Sequence, residues 1–200
     1  MSIREEYKER YDNYLVSLAS ALEGHVRENL KGVPRIDRVS ARPKGIDSFV
    51  SKADKEVNGV KKYSDPFNQI QDQIGVRIVT FYLDDVDAVK KEIESYYRKI
   101  ESKNIGPNSD SEFGYFGKHF ILLIPDDLID DRSDVNKIPK FFELQIKTLF
   151  QHAWGEAEHD LGYKPGVTLS SDVKRRIAFT AAQAWGADQI FNELHKAAND

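Results

Sequence analysis

Apolar residues recur at steps of three and four from the start of the chain. Tyr7, Tyr11, Tyr14, Leu18, Leu22, Val26 and Leu30 share one stripe, which predicts a long opening helix over residues 3–31. Gly32 and Pro34 break it, and the alternation Ile36-Asp37-Arg38-Val39-Ser40 predicts a short strand. Residues 48–58 read as a helix ending near Gly59. The run Ile74 to Tyr82 is β-branched and aromatic, apolar on both faces except at Arg77, as expected of a central strand. Asp84-Asp85 suits the start of a helix carrying Val86, Val89, Ile93 and Tyr97, with a loop from Asn104 to Glu112 after it. Lys118–Ile124 and Phe141–Ile146 are two more strands, separated by an aspartate-rich loop over 125–139. Thr148–His159 reads as a helix. A final helix starts near Ser170 or Ser171, with Ile177, Ala181, Ala184, Ala187, Phe191 and Leu194 on one stripe. This order of elements predicts an α+β fold, a mixed sheet covered by helices, with long N- and C-terminal helices.

Two hundred residues are enough for one hydrophobic core, so a single domain is expected. The absence of cysteine excludes a disulfide scaffold and a thiolate zinc site. The opening Met-Ser-Ile-Arg-Glu-Glu lacks the apolar centre of a signal peptide, and no run approaches the roughly 20 apolar residues of a membrane span; a cytoplasmic protein is expected. The net charge of −4 argues against general nucleic-acid binding. Yet residues 35–62 hold eight Lys or Arg against four acids, leaving −8 on the rest of the chain. A local basic segment in an acidic protein fits a small polyanion such as a nucleotide.

Several residues are placed to meet one. Arg42-Pro43-Lys44-Gly45-Ile46-Asp47-Ser48 leaves a strand and enters a helix, where backbone amides attract anions. Arg42 and Lys44 point the same way along the strand, and Ser48 and Lys52 share a helical face. A solvated basic surface is the plainer alternative. Arg77, held in an apolar run, needs a partner, either an internal carboxylate or a phosphate. Glu143 and Gln145 fall on one face of an otherwise apolar strand. Either that face is open to solvent, or Glu143 joins Asp72 in holding a divalent cation, for which Mg2+ fits best. In Gly114-Tyr115-Phe116-Gly117-Lys118-His119 an aromatic ring sits among glycines and basic side chains, where it could stack on a base or simply anchor a loop. His152, Glu156 and His159 lie on one side of a helix, but without His-Glu-x-x-His spacing they read as structural.

Taken in order, four blocks resemble the synthetase domain of the RelA/SpoT family, the ATP-dependent GTP/GDP pyrophosphokinases that make (p)ppGpp. They are Arg42-Pro-Lys-x-Ile-x-Ser-x-x-x-Lys52, Asp72-x-x-Gly-x-Arg77, Gly114-Tyr115 through His119, and Glu143-x-Gln-Ile-Lys-Thr148 with Ala153-Trp154 and Glu158 to Lys164. The resemblance implies a nucleotidyltransferase-like sheet of about five mixed strands. It divides the chain into an N-terminal helix (1–34), a catalytic core (35–164) and a C-terminal helical region (165–200), within one small stand-alone synthetase lacking hydrolase activity. It implies ATP binding by Arg42, Lys44, Ser48, Lys52 and Arg77, with Arg42 on adenine. Mg2+ would be held by Asp72 and Glu143, with Glu143 alternatively taking the proton of the acceptor 3′-hydroxyl and Gln145 positioning it. The acceptor nucleotide, GDP or GTP, would meet Tyr115, Lys118 and His119. Self-association through the terminal helices is also implied.

Three departures bear on the acceptor. Gly117 stands where the family has serine, and Lys147 where it has arginine, removing a bidentate fork. The family's Lys-Pro-x-Gly-Tyr approach to the tyrosine is replaced by Ser111-Glu112-Phe113. A toxin-like relative acting on another 3′-hydroxyl, of an adenine nucleotide or a tRNA end, is therefore a competing reading. A nucleotide sensor without catalysis is a third, disfavoured by the presence of both Asp72 and Glu143.

Overall fold

The structure is a computed structural model that describes residues 1–106, 112–114, 117–130, 134–162 and 169–199. The chain opens with α1 (Ile3–Arg10), a π turn (Tyr11–Leu15) and α2 (Val16–Asn29). The residues facing inward are Tyr7, Leu15, Leu18, Leu22 and Val26; Tyr14, expected on the stripe, is only half-buried and Leu15 takes its place. An α-helix turns about 100° per residue, so the path from Tyr7 to Val26 overshoots whole turns by about 100°. The extra residue of the π turn absorbs that excess and keeps one apolar line against the core.

After β1 (Ile36–Pro43) and α3 (Ile46–Ala53) the predicted helix stops early. Residues 56–61 form a small hairpin, β2 (Glu56–Val57) and β3 (Val60–Lys61). Asn58 and Gly59 both adopt positive φ, 53° and 76°, as a tight two-residue hairpin turn requires. The short helix α4 (Pro66–Gln69) leads to β4 (Ile74–Thr80), then α5 (Leu83–Tyr96), β5 (Lys99–Ile105), β6 (Gly117–Leu123), β7 (Phe141–Thr148), α6 (Leu149–Gly162) and α7 (Ser171–Ala197). β5 lies between the helix expected up to Tyr97 and the loop expected from Asn104, and takes the first two residues of that loop. Two 3-10 turns, Asp126–Leu128 and Val135–Lys137, lie in the described parts of the aspartate-rich connection.

The five long strands form one mixed sheet in the order β1-β4-β7-β6-β5. β4 and β7 run parallel, and every other pair is antiparallel. Val39, Val76, Ile78, Phe120, Leu122, Phe142, Leu144 and Ile146 fill one side of the sheet, and with α2 and α5 they build the core. Alternation sends the intervening side chains to the opposite face, where the polar residues collect.

The C-terminal helix departs from its predicted stripe. Ala181 is buried, but beyond Ala184 the buried line continues through Asp188 and Asn192, leaving Phe191 and Leu194 exposed. Polar docking sets this rotation. Asn192 exchanges hydrogen bonds with Asp84 at the start of α5, and Thr148 Oγ1 donates to Asp188 Oδ2 at 2.7 Å.

Candidate active site

Strand pairing lays two polar rows across all five strands. One runs Arg42, Gly75, Glu143, Ile121, Glu101; the next runs Ser40, Arg77, Gln145, His119, Lys103. Directly opposed residues project from the same face, so residues from distant parts of the chain meet there. Gly75 sits between Arg42 and Glu143, and a Cβ added there would meet no atom within 4 Å. The floor between the two charged residues is therefore open.

Asp72 stands at the mouth of β4. Lys44 N donates to Gln73 O at 2.8 Å, and buried Gln73 Nε2 donates to Phe67 O and Ile70 O, which fixes the segment that carries the carboxylate. Lys52 Nζ and Lys44 Nζ both reach Asp72 Oδ2, at 2.7 and 3.0 Å. Burial alone would raise the Asp72 carboxyl, but the hydrogen bond from Lys52 and the charge of Lys44 outweigh it and hold it below its ordinary range. Oδ1 is buried and has no hydrogen-bond partner.

Glu143 is gripped on both oxygens. His119 Nδ1 bonds Oε1 at 3.0 Å, and Gln145 Nε2 donates to Oε2 at 2.8 Å. Burial pushes this carboxyl up as well, and the bond to His119, its charge and Gln145 bring it back below the ordinary carboxylate range. Gln145 Oε1 is a second buried oxygen without a partner. Asp72, Glu143, His119 and Lys52 line one open cleft of about 370 Å3, and the charge of Asp72 is felt at Glu143. The two carboxylates thus face a common space on one side of the sheet.

Arg77 donates to Glu156 on α6, with His152 Nδ1 3.4 Å from the same nitrogen. An internal carboxylate is thus the partner that its place in an apolar run demanded. Lys147 is buried beside this group, its pKa pushed down to about 8 by burial and by Arg77. Arg42 and Ser48 are exposed, and Arg42 shares its row with Glu143.

Residues 41–168 match the family described as "Region found in RelA / SpoT proteins". The chain belongs to the RelA/SpoT family. It is 25% identical over 201 residues to the GTP pyrophosphokinase YjbM of Bacillus subtilis, spanning 92% of this chain and 88% of the relative. The small alarmone synthetase 1 from Bacillus subtilis bound to its product pppGpp has the same fold, with a TM-score of 0.73 at 23% identity over 98% of both chains. The structure of smu.1046c from Streptococcus mutans gives 0.69 at 26% identity, covering 96% of this chain and 94% of that one.

Most of the residues singled out from the RelA/SpoT motifs gather on the polar face. Lys118 does not. It precedes His119 by one, so alternation turns it to the α5 side of the sheet, where it pairs with Asp87. Tyr115 lies outside the described residues. The cleft is also lined by Lys62, Tyr63, Glu101 and Lys103, none of which the motifs indicated. For Glu101 and Lys103 the signal was their two-residue spacing, legible only once residues 99–105 are recognised as a strand.

Proposed function

We propose that this chain is an ATP-dependent pyrophosphokinase that moves the β,γ-pyrophosphoryl group of ATP to the 3′-hydroxyl of GDP or GTP, making (p)ppGpp. One observation carries the reading: two carboxylates held in their ionised forms, Asp72 by lysines and Glu143 by His119 and Gln145, open into one cleft. Arg42, Lys44, Ser48, Lys52 and Arg77 receive ATP. Glu143 takes the proton of the acceptor hydroxyl as its oxygen bonds to the β-phosphorus, the bridge to the α-phosphorus breaks, and AMP leaves. Gln145 and His119 fix the carboxylate so that little reorganisation is needed as charge moves.

The buried oxygen Asp72 Oδ1, which lacks a protein partner, suits a hard cation. Mg2+ would be held by Asp72 and Glu143 and, when bound, would neutralise phosphate charge. The same reading includes a cytoplasmic enzyme; among the described residues, no helix is long and apolar enough to cross a membrane. It also includes self-association through the terminal helices, supported by the exposed Phe179, Ile190, Phe191 and Leu194 along α7.

The test is incubation with γ-labelled ATP and each acceptor, with the products separated by charge. Label on GDP or GTP at the 3′ position is the expected result. Transfer to an adenine nucleotide or a tRNA end, with both guanine nucleotides inert, would replace this reading with the toxin-like one. Nucleotide binding without transfer to any acceptor would replace it with a sensor.

A further inference from the structure

The approach to β6 reads Ser111-Glu112-Phe113-Gly114, without a proline. Proline fixes its own φ and restricts the residue before it, so a chain without it has more conformations to lose. The described part of this approach, residues 112–114, is held from outside. The Phe113 ring lies 5.9 Å from the Trp185 ring of α7, tilted at 60°. Gly114 helps line a small cavity of about 20 Å3 between α6 and α7, together with Trp154, Trp185 and Asp188. A tilted aromatic pair at this separation is attractive beyond its buried area.

Trp185 belongs to a helix that is itself fixed. Trp154 Nε1 donates to Thr180 Oγ1 at 3.1 Å, tying α6 to α7, and Thr148 at the end of β7 holds Asp188. The path from Glu143 to Phe113 therefore runs through β7, Thr148, Asp188 and Trp185, every link a side-chain contact or a short stretch of backbone. Neither ring is fully covered: Phe113 is 40% exposed and Trp185 45%. Their contact holds a segment at the surface and adds little to the core.

Resting on the pyrophosphokinase reading, we propose that Trp185 is a positioning residue for the acceptor side of the site, replacing by packing on Phe113 the stiffness that proline would give the chain entering β6. Phe113 precedes by four residues the start of β6, the strand that delivers His119 to Glu143. Trp185 acts only through Phe113 and touches no substrate. ATP, on the Lys44 and Lys52 side of the cleft, should not sense its loss.

The test is a double-mutant cycle in the full chain with Trp185→Ala, Phe113→Ala and the pair. Each single change is expected to raise KM for the acceptor by about threefold to tenfold while leaving KM for ATP unchanged. The pair should be no worse than either single variant, and Trp185→Phe should restore most of the effect. Independent of turnover, a glutamate-specific protease should cut after Glu112 faster in Trp185→Ala than in the parent. Additive effects in the pair, equal shifts in both KM values, or unchanged cleavage would overturn the proposal. A parent that transfers to no acceptor, but whose cleavage still responds to Trp185→Ala, would locate the failure in the pyrophosphokinase reading and leave the packing of Phe113 standing.

Discussion

Glu156, from the second turn of α6, accepts a hydrogen bond from Arg77 in the middle of β4. The carboxylate is half exposed, whereas the guanidinium is mostly covered. Any phosphate or base approaching Arg77 must displace Glu156 or share the cation with it. Removing the charge by Glu156→Gln should therefore lower KM for ATP by about two- to fivefold, the range of an exposed ion pair, with kcat changed little. Steady-state kinetics at fixed acceptor would check this, and an increased KM for ATP would contradict it.

Glu143→Gln keeps the shape and a hydrogen bond to Gln145 but removes the proton acceptor. Turnover is expected to fall by at least about a hundredfold, while ATP binding measured by titration stays within about twofold. Because the native carboxyl lies below its ordinary value of 4.5, it stays ionised as pH falls toward that value. The acid limb of the parent's pH–rate profile should accordingly lie below the usual carboxylate range. The stability that Glu143 gains from His119 and Gln145 is complete above the unfolded value and disappears as pH falls through the folded one.

Asp188 shifts the opposite way. Burial pushes its carboxyl up to about 6, and the bond from Thr148 only partly offsets this. Below the unfolded value of 3.8 the group is neutral in both states and costs nothing; the penalty grows between there and about 6 and is constant above. Asp188→Asn keeps an acceptor for Thr148 and is expected to stabilise the fold at pH 8 by up to about 2 kcal/mol, with no gain near pH 3.5. Urea denaturation at the two pH values would measure it. A loss of stability at pH 8 would show that the ionised form is stabilised by its surroundings.

Tyr7 links the opening helix to the cleft. Its hydroxyl donates to Lys44 O at 2.9 Å, and its ring stacks on Phe49 of α3 with centroids 3.7 Å apart. Tyr7→Phe should cost about 1 kcal/mol and raise KM for ATP modestly, since Lys44 and Asp72 share the support, with kcat unaffected. Denaturation and kinetics on the same preparation would separate the two effects.

The parts of the fold legible in the sequence are those where periodicity and chemistry agree. β4, β7 and the opening helix announce themselves through Ile74-Gly75-Val76, Phe142-Glu143-Leu144 and the Leu18, Leu22, Val26 stripe. β5 was hidden because Lys99-Ile100-Glu101-Ser102-Lys103 is an edge strand with few apolar residues, and a charged edge resembles a loop. The β2–β3 hairpin was hidden because Asn58-Gly59 suits both a helix end and a tight turn. In α7 the apolar stripe pointed to Phe191 and Leu194, whereas hydrogen bonding to Asp188 and Asn192 decided the rotation. In the site, motif spacing located Asp72, Glu143 and Gln145, but no local pattern reveals that Glu156 engages Arg77. That contact depends on the angle at which α6 leaves β7.

The two polar rows carry a consequence for how the chain can vary in length. His119 reaches Glu143 only because β6 is in one register with β7, and Lys118, one position earlier, points to α5. Inserting or deleting a single residue between Gly117 and His119 would exchange their sides, burying an imidazole against aliphatic carbon and offering the carboxylate an ammonium instead. Viable homologues should therefore keep the strand segments constant in count and confine odd-numbered length changes to the connections, a parity rule that a survey of natural indels can check.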